Sequence, residues 1–221
     1  MALDIKICGL KTPETIAAAL AGGATHIGFI FFPKSPRNVT PEQAGRLRAA
    51  VDGRARVVAV TVDADDALLD DIVHVVKPDM LQLHGHETPE RVAAVKMRYD
   101  LPVMKAFAIR DAADLDAITP YKGVANRFLF DAKPPKEAEL PGGNGISFDW
   151  DLLAALDGDV DYMLSGGLNA GNIAEALRKT RAPGIDISSG VESAPGEKDI
   201  HLIEEFFKAI AKADETSARC A

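Results

Sequence analysis

A thiol and a carboxylate each close a short apolar run in this sequence, and both are placed for proton transfer. Cys8 ends the run at residues 3–8 and is followed at once by Gly9-Leu10-Lys11-Thr12, a turn that leads into a helix. Backbone N–H groups and a helix dipole at such a point favour the thiolate, which makes Cys8 a candidate base. Cysteine is also a small apolar filler, and position alone does not separate the two roles. Asp131 ends the run at 126–131 after Phe128-Leu129-Phe130. A carboxyl at the mouth of an apolar run suits a general acid, and the competing reading is an Asp that caps the following loop.

Two glycine-bearing segments add an anion-binding signal. Ser165-Gly166-Gly167-Leu168 and Ser188-Ser189-Gly190-Val191-Glu192 each follow an apolar run. Glycine lets backbone N–H groups come close to a phosphate, and neither segment carries a lysine or arginine to compete as a point charge. Gly167, Ser189 and Gly190 N–H groups with the Ser189 hydroxyl are therefore the expected cradle. Arg37, in the exposed-looking Pro36-Arg37-Asn38, offers a planar fork for a carboxylate, though most surface arginines are merely solvated. Gln82 and His84 alternate with Leu81 and Leu83 and so point to one face, where a hydrogen-bonded structural histidine competes with a catalytic one. His84 and His86 flank Gly85 with no third ligand at metal spacing, so no zinc site is expected. Gly142-Gly143-Asn144-Gly145 lacks the Lys-Ser/Thr of a phosphate loop and reads as a mobile loop tip.

These residues need a scaffold, and the hydrophobic pattern supplies one. Apolar runs at 3–8, 26–31, 56–62, 79–84, 102–107, 126–131, 161–165 and 184–188 recur along the chain, each followed by a helical pattern. Eight such βα units imply a closed (β/α)8 TIM barrel, an α/β fold, forming a single domain over 1–213 with 214–221 as a frayed tail. An open doubly wound sheet is the competitor, but Gly-x-Gly-x-x-Gly is missing after the first run. Thr12-Pro13, Thr40-Pro41 and Thr88-Pro89 mark helix starts, and Gln43 completes a capping box. Ile200, Ile203, Phe206, Phe207 and Ile210 form the apolar stripe of a last helix. The longer intervals after residues 31 and 131, the second containing Lys133, follow strand C-terminal ends, the face on which barrels build active sites.

With 25 Lys+Arg against 33 Asp+Glu in 221 residues the net charge is −8, and the basic residues are not clustered, which argues against nucleic acid. No apolar run approaches the ~20 residues of a membrane span, and no signal-like segment opens the chain. Cys8 and Cys220 near opposite ends fit a reduced, cytoplasmic protein better than a long-range disulfide.

Taken in order, Lys6-Ile7-Cys8-Gly9, Ser35-Pro36-Arg37, Leu81-Gln82-Leu83-His84-Gly85, Phe130-Asp131, Gly142-Gly143-Asn144-Gly145, Ser165-Gly166-Gly167-Leu168 and Asp186-Ile187-Ser188-Ser189-Gly190-Val191-Glu192 resemble the phosphoribosylanthranilate isomerase family over nearly the whole chain. The resemblance implies Cys8 as general base, Asp131 as general acid and Arg37 at the anthranilate carboxylate. It implies Gln82, His84 and Asp186 as further substrate contacts, and Gly166, Gly167, Ser189 and Gly190 at the phosphate. The expected partner is a phosphorylated small molecule, with no metal, no organic cofactor, and a monomer or homodimer. Asn144 stands where the family often has Thr. The implied chemistry is an Amadori rearrangement of an aminoaldose to an aminoketose. The acid must hold its proton while the base has lost it, so the two environments must act in opposite directions. A different phosphosugar barrel isomerase or epimerase, or a phosphate-ligand-binding barrel without turnover, are the alternatives; a carboxylate in place of Cys8 would favour the first.

Overall fold

The computed structural model describes residues 3–133, 142, 143, 145, 147–156, 158 and 160–219, with backbone alone at 155 and 214–219. Eight parallel strands close into a barrel in sequence order: β1 (Asp4–Cys8), β2 (His26–Phe31), β3 (Arg56–Thr61), β4 (Met80–Leu83), β5 (Val103–Ile109), β6 (Arg127–Ala132), β7 (Tyr162–Leu164) and β8 (Gly184–Ile187). Closure is made by β1 on β8, where Lys6 lies opposite Asp186. Each strand is buried on both faces, which is why it reads as a near-continuous apolar run. Cys8, Val58, Val60, Met80, Met104, Ala106, Leu129 and Met163 pack inside the barrel. The alternate residues face the helices.

Helices α1 (Pro13–Gly22), α2 (Pro41–Val51), α3 (Asp66–Val76) and α4 (Pro89–Tyr99) begin where their caps place them. Thr12, Thr40 and Thr88 each accept an N–H bond from the first turn, and Thr40 with Gln43 forms the expected capping box. Such a cap contributes about 1 kcal/mol. The outer layer then becomes irregular. α5 (Ala112–Asp116) has five residues and a 3₁₀ turn (Thr119–Tyr121) after it, because Pro120 removes a helix donor. Between β6 and β7 the described residues include a 3₁₀ segment (Trp150–Ala155).

After α6 (Ile173–Thr180) and β8, a small hairpin that sequence reading missed, β9 (Glu192–Ala194) with β10 (Glu197–Lys198), precedes α7 (Ile200–Arg219). The α7 helix runs on through part of the stretch set apart as a tail. Its Ile203, Phe206, Phe207 and Ile210 are buried, whereas Ile200 is 38% exposed and lies outside the stripe. No helix among the described residues is long and apolar enough to cross a membrane. Cys8 is a free, buried thiol. Cys220, Asn144 and the expectations attached to them lie outside the described residues.

Candidate active site

The C-terminal ends of the strands open into one cavity, lined by Cys8, Arg37, Gln82, His84, Asp131, Gly166, Gly167, Asp186 and Ser189 among others. Nine of the ten residues singled out from the sequence thus converge on one space. Gly190 does not line it. A Cβ at Gly190 would stand 1.9 Å from the Leu168 carbonyl oxygen, so glycine is required there for the close approach of the two loops after β7 and β8.

Cys8 lies on the inward face of β1, two residues after Lys6, and Asp131 lies three strands around the barrel on β6. Both are about 5% exposed. The expected helix-terminal activation of the thiol is not what surrounds it, because the helix cap is Thr12, four residues on. Burial pushes the Cys8 thiol above its ordinary value, and the nearby Lys6 and Lys198 ammonium groups only partly oppose this. The expected downward shift is therefore overturned for this state of the protein.

Gln82 Nε2 lies 2.9 Å from His84 Nδ1. With the carboxamide N–H donating, the remaining ring proton belongs on Nε2, which faces Asp131 Oδ2 at 3.6 Å, beyond a direct hydrogen bond. The His84 backbone is itself fixed, its amide N–H donating to the Thr61 carbonyl at 2.8 Å. Gly142 closes this corner. A Cβ on it would stand 2.5 Å from Asp131 Oδ2 and 3.0 Å from His84 Nε2, so this glycine comes close to the acid.

Asp186 faces inward from β8 and pairs with Lys6 Nζ at 2.9 Å. Burial raises the Asp186 carboxyl despite the lysine. Arg37 is 4% exposed, contrary to the expectation of an exposed segment. The loop after β2 folds back through Ser35 N–H on the Phe32 carbonyl and Val39 N–H on the Ile30 carbonyl, which turns Arg37 over the barrel mouth. There its guanidinium binds both oxygens of Glu192 on β9 and donates to the Gly143 carbonyl at 3.3 Å.

The N–H groups of Gly166, Gly167, Ser189 and Gly190 find no acceptor among the described residues, which suits an anion at the first three. A lysine does reach this corner, however. Lys198 on β10 donates to the Ser188 carbonyl at 3.0 Å and to the Glu192 carboxylate, a contact not foreseen because Lys198 lies beyond the glycine segment. Lys133 turns away and pairs with Asp114 at 2.7 Å. Lys6 was the other residue missed. Its signal was present in the strand alternation, which points it inward with Cys8. No group of three or more His, Cys, Asp or Glu among the described residues could hold a metal ion.

Residues 5–209 match the family described as N-(5′phosphoribosyl)anthranilate (PRA) isomerase. An N-(5′-phosphoribosyl)anthranilate isomerase of Brucella canis is 78% identical over 214 residues, covering 97% of this chain and 96% of the relative. The crystal structure of phosphoribosyl anthranilate isomerase from Thermotoga maritima superposes with a TM-score of 0.85 at 32% identity, covering 96% of this chain and 100% of that one. A phosphoribosyl anthranilate isomerase in complex with reduced 1-(o-carboxyphenylamino)-1-deoxyribulose 5-phosphate gives 0.83 at 30% identity, with the same coverage. Barrel, cavity and match over nearly the whole length agree, and the chain belongs to the N-(5′-phosphoribosyl)anthranilate isomerase family.

Proposed function

We propose that Cys8 and Asp131 divide between them the proton transfers by which this isomerase converts N-(5′-phosphoribosyl)anthranilate, an aminoaldose, into the aminoketose 1-(2-carboxyphenylamino)-1-deoxyribulose 5-phosphate. The observation that carries the assignment is the placement of a buried thiol and a buried carboxyl on separate walls of one cavity, with anion-binding groups at its rim.

Asp131 donates its proton to the ribose ring oxygen, the bond from that oxygen to C1′ breaks, and the anthranilate nitrogen lone pair forms an iminium. The Nε2–H of His84 faces the carboxylate left behind. Cys8 thiolate then removes the proton from C2′, and the electron pair returns to the nitrogen as an enolamine. Proton gain at C1′ and loss from the C2′ hydroxyl give the ketone. C1′ is reduced and C2′ oxidised, so the reaction needs no external redox partner, and the substrate nitrogen acts as the electron sink.

The phosphate sits against Gly166, Gly167 and Ser189. Arg37, the arginine that follows β2, takes the anthranilate carboxylate, with Ile30, Phe32 and Val60 as the apolar wall for the ring. Gln82 and Asp186 line the space left for the sugar hydroxyls. The test is loss of anthranilate-type fluorescence on mixing the protein with freshly made substrate. Normal turnover by Cys8→Ala or Asp131→Asn would remove that residue from its role.

A further inference from the structure

Lys6 is a fully buried charged side chain, 0% exposed, and the proton transfers do not use it. An ammonium inside a barrel costs several kcal/mol unless it is paired. Asp186 supplies that pairing through one contact, which uses one of the three N–H groups. A second group lies beside it. A Cβ placed on Gly28 would stand 3.1 Å from Lys6 Nζ and 3.0 Å from Cys8 Sγ, so ammonium and thiol converge over the one gap that this glycine leaves on β2.

We propose that Lys6 is a positioning residue whose ammonium, shared between Asp186 and Cys8, supplies the counter-charge for the Cys8 thiolate, so that the Lys6–Asp186 pair sets how much of the thiol is available as base. This rests on the reading of Cys8 as the base. When the thiol ionises and its proton leaves the site, the ammonium turns part of its hydrogen bonding from Asp186 Oδ1 to Sγ, so the new negative charge forms beside a cation already in place. The other charged or titratable groups facing Cys8 are Lys198 from β10, Arg37 from the loop after β2, and His84 and Asp131 across the mouth from the ends of β4 and β6; β2 and β3 present Gly28, Ile30 and Val60. Burial pushes Lys6 down, but Asp186 and Cys8 outweigh it and hold its pKa above the ordinary lysine value, so it stays charged.

A plain structural plug predicts that removing either partner loosens the barrel and leaves the thiol titration alone. The counter-charge role predicts opposite shifts. In a Cys220→Ser background, which leaves Cys8 as the one thiol, thiolate absorbance followed against pH should show the midpoint moving up in Lys6→Met and down in Asp186→Asn. About tenfold less thiolate in the first variant at a given pH below the midpoint is the expected size. Lys6→Arg should restore part of the parent midpoint, and the rising limb of kcat/KM should follow each shift. Midpoints that stay put, or move in the same direction, overturn the proposal. Should Lys6→Met fail to fold, Asp186→Asn decides alone, since an unchanged or raised midpoint there is equally fatal. The titration reads the coupling without turnover, whereas full activity in Cys8→Ala would defeat the base assignment instead.

Discussion

Glu192 grips the Arg37 guanidinium at two points, Nε to Oε1 at 2.7 Å and Nη2 to Oε2 at 2.8 Å, across 155 residues of chain. Arg37 and Lys198 hold the Glu192 carboxyl down at about 2 although burial opposes them. The arginine is therefore held in place before any ligand arrives, and one edge of its fork is already used. Arg37→Ala should raise KM about ten- to a hundredfold, the equivalent of a charge-assisted contact of roughly 1.5–3 kcal/mol. A carboxylate-free analogue should bind parent and variant alike, and a retained preference for the carboxylated analogue would place that contact elsewhere. Glu192→Ala leaves two buried cations without their shared anion and should cost about 3–5 kcal/mol of stability, read from denaturant melts.

Cys8→Ala and Asp131→Asn should each lower kcat by ~10²–10⁴-fold while leaving the affinity for a product analogue largely unchanged. The proposed roles place both groups in proton transfer more than in binding. An affinity loss matching the loss of turnover would make either one a binding residue.

The direction of the thiol shift carries a further expectation. A buried Cys8 whose pKa is raised is mostly protonated in the free protein, so kcat/KM should climb with pH and level off only above the ordinary thiol value. The iminium formed on ring opening brings a positive charge to C1′, next to the carbon that loses its proton, and this favours the thiolate in the complex. The limb in kcat should accordingly lie below that in kcat/KM. Coincident limbs would show that the substrate cation does not assist.

At the other end of the barrel, His26 is 2% exposed, bonded through Nδ1 to Thr25 Oγ1 at 2.7 Å, with no partner at Nε2 among the described residues. Burial is the main cause that lowers it to about 4. A folded value below the unfolded value of about 6.5 means that the unfolded chain takes up the proton first, so this stability is complete above about 6.5 and drains away as pH falls towards 4. The loss amounts to about 3 kcal/mol over that window. His26→Gln should flatten the decline in Tm between those two pH values, and an unaltered slope would assign it to other groups. Below that window the Glu192 contribution, present above its unfolded value, is lost as pH falls through about 2.

The eight strands were legible because a barrel strand is buried on both faces and leaves an apolar run, and the predicted 26–31 coincides with β2 (His26–Phe31). The positions of Cys8 and Asp131 were legible for the same reason, as polar residues at the ends of such runs. Partners distant in sequence were not. Nothing local in Pro36-Arg37-Asn38 announces Glu192, and Lys198 is brought to Ser188 only by the β9–β10 hairpin. The thiol's direction was misjudged because turn and helix were weighed from sequence order, whereas burial in the barrel dominates. Gly142 likewise reads as a loop tip until the fold sets it against Asp131 and His84.

The phosphate corner separates local from folded cause in the same way. Gly166, Gly167 and Ser189 bring to the cavity N–H groups that have no acceptor among the described residues, so inorganic phosphate should inhibit competitively and raise Tm as its concentration exceeds its Kd. Ser189→Ala keeps the backbone N–H and loses one hydroxyl contact to the anion, so phosphate should bind about tenfold or more weakly, for a contact of roughly 1.5–3 kcal/mol. Gly190→Val tests a different link. Its side chain would run into the Leu168 carbonyl rather than the anion, so Tm should drop even in phosphate-free buffer, with the loss of inhibition following from displaced loops. A Gly190→Val protein that melts like the parent yet no longer responds to phosphate would show that the residue meets the anion directly. Lys133→Ala, whose lysine pairs with Asp114 outside the cavity, should leave the phosphate inhibition constant unchanged, and a marked change would bring the loop after β6 into the anion site.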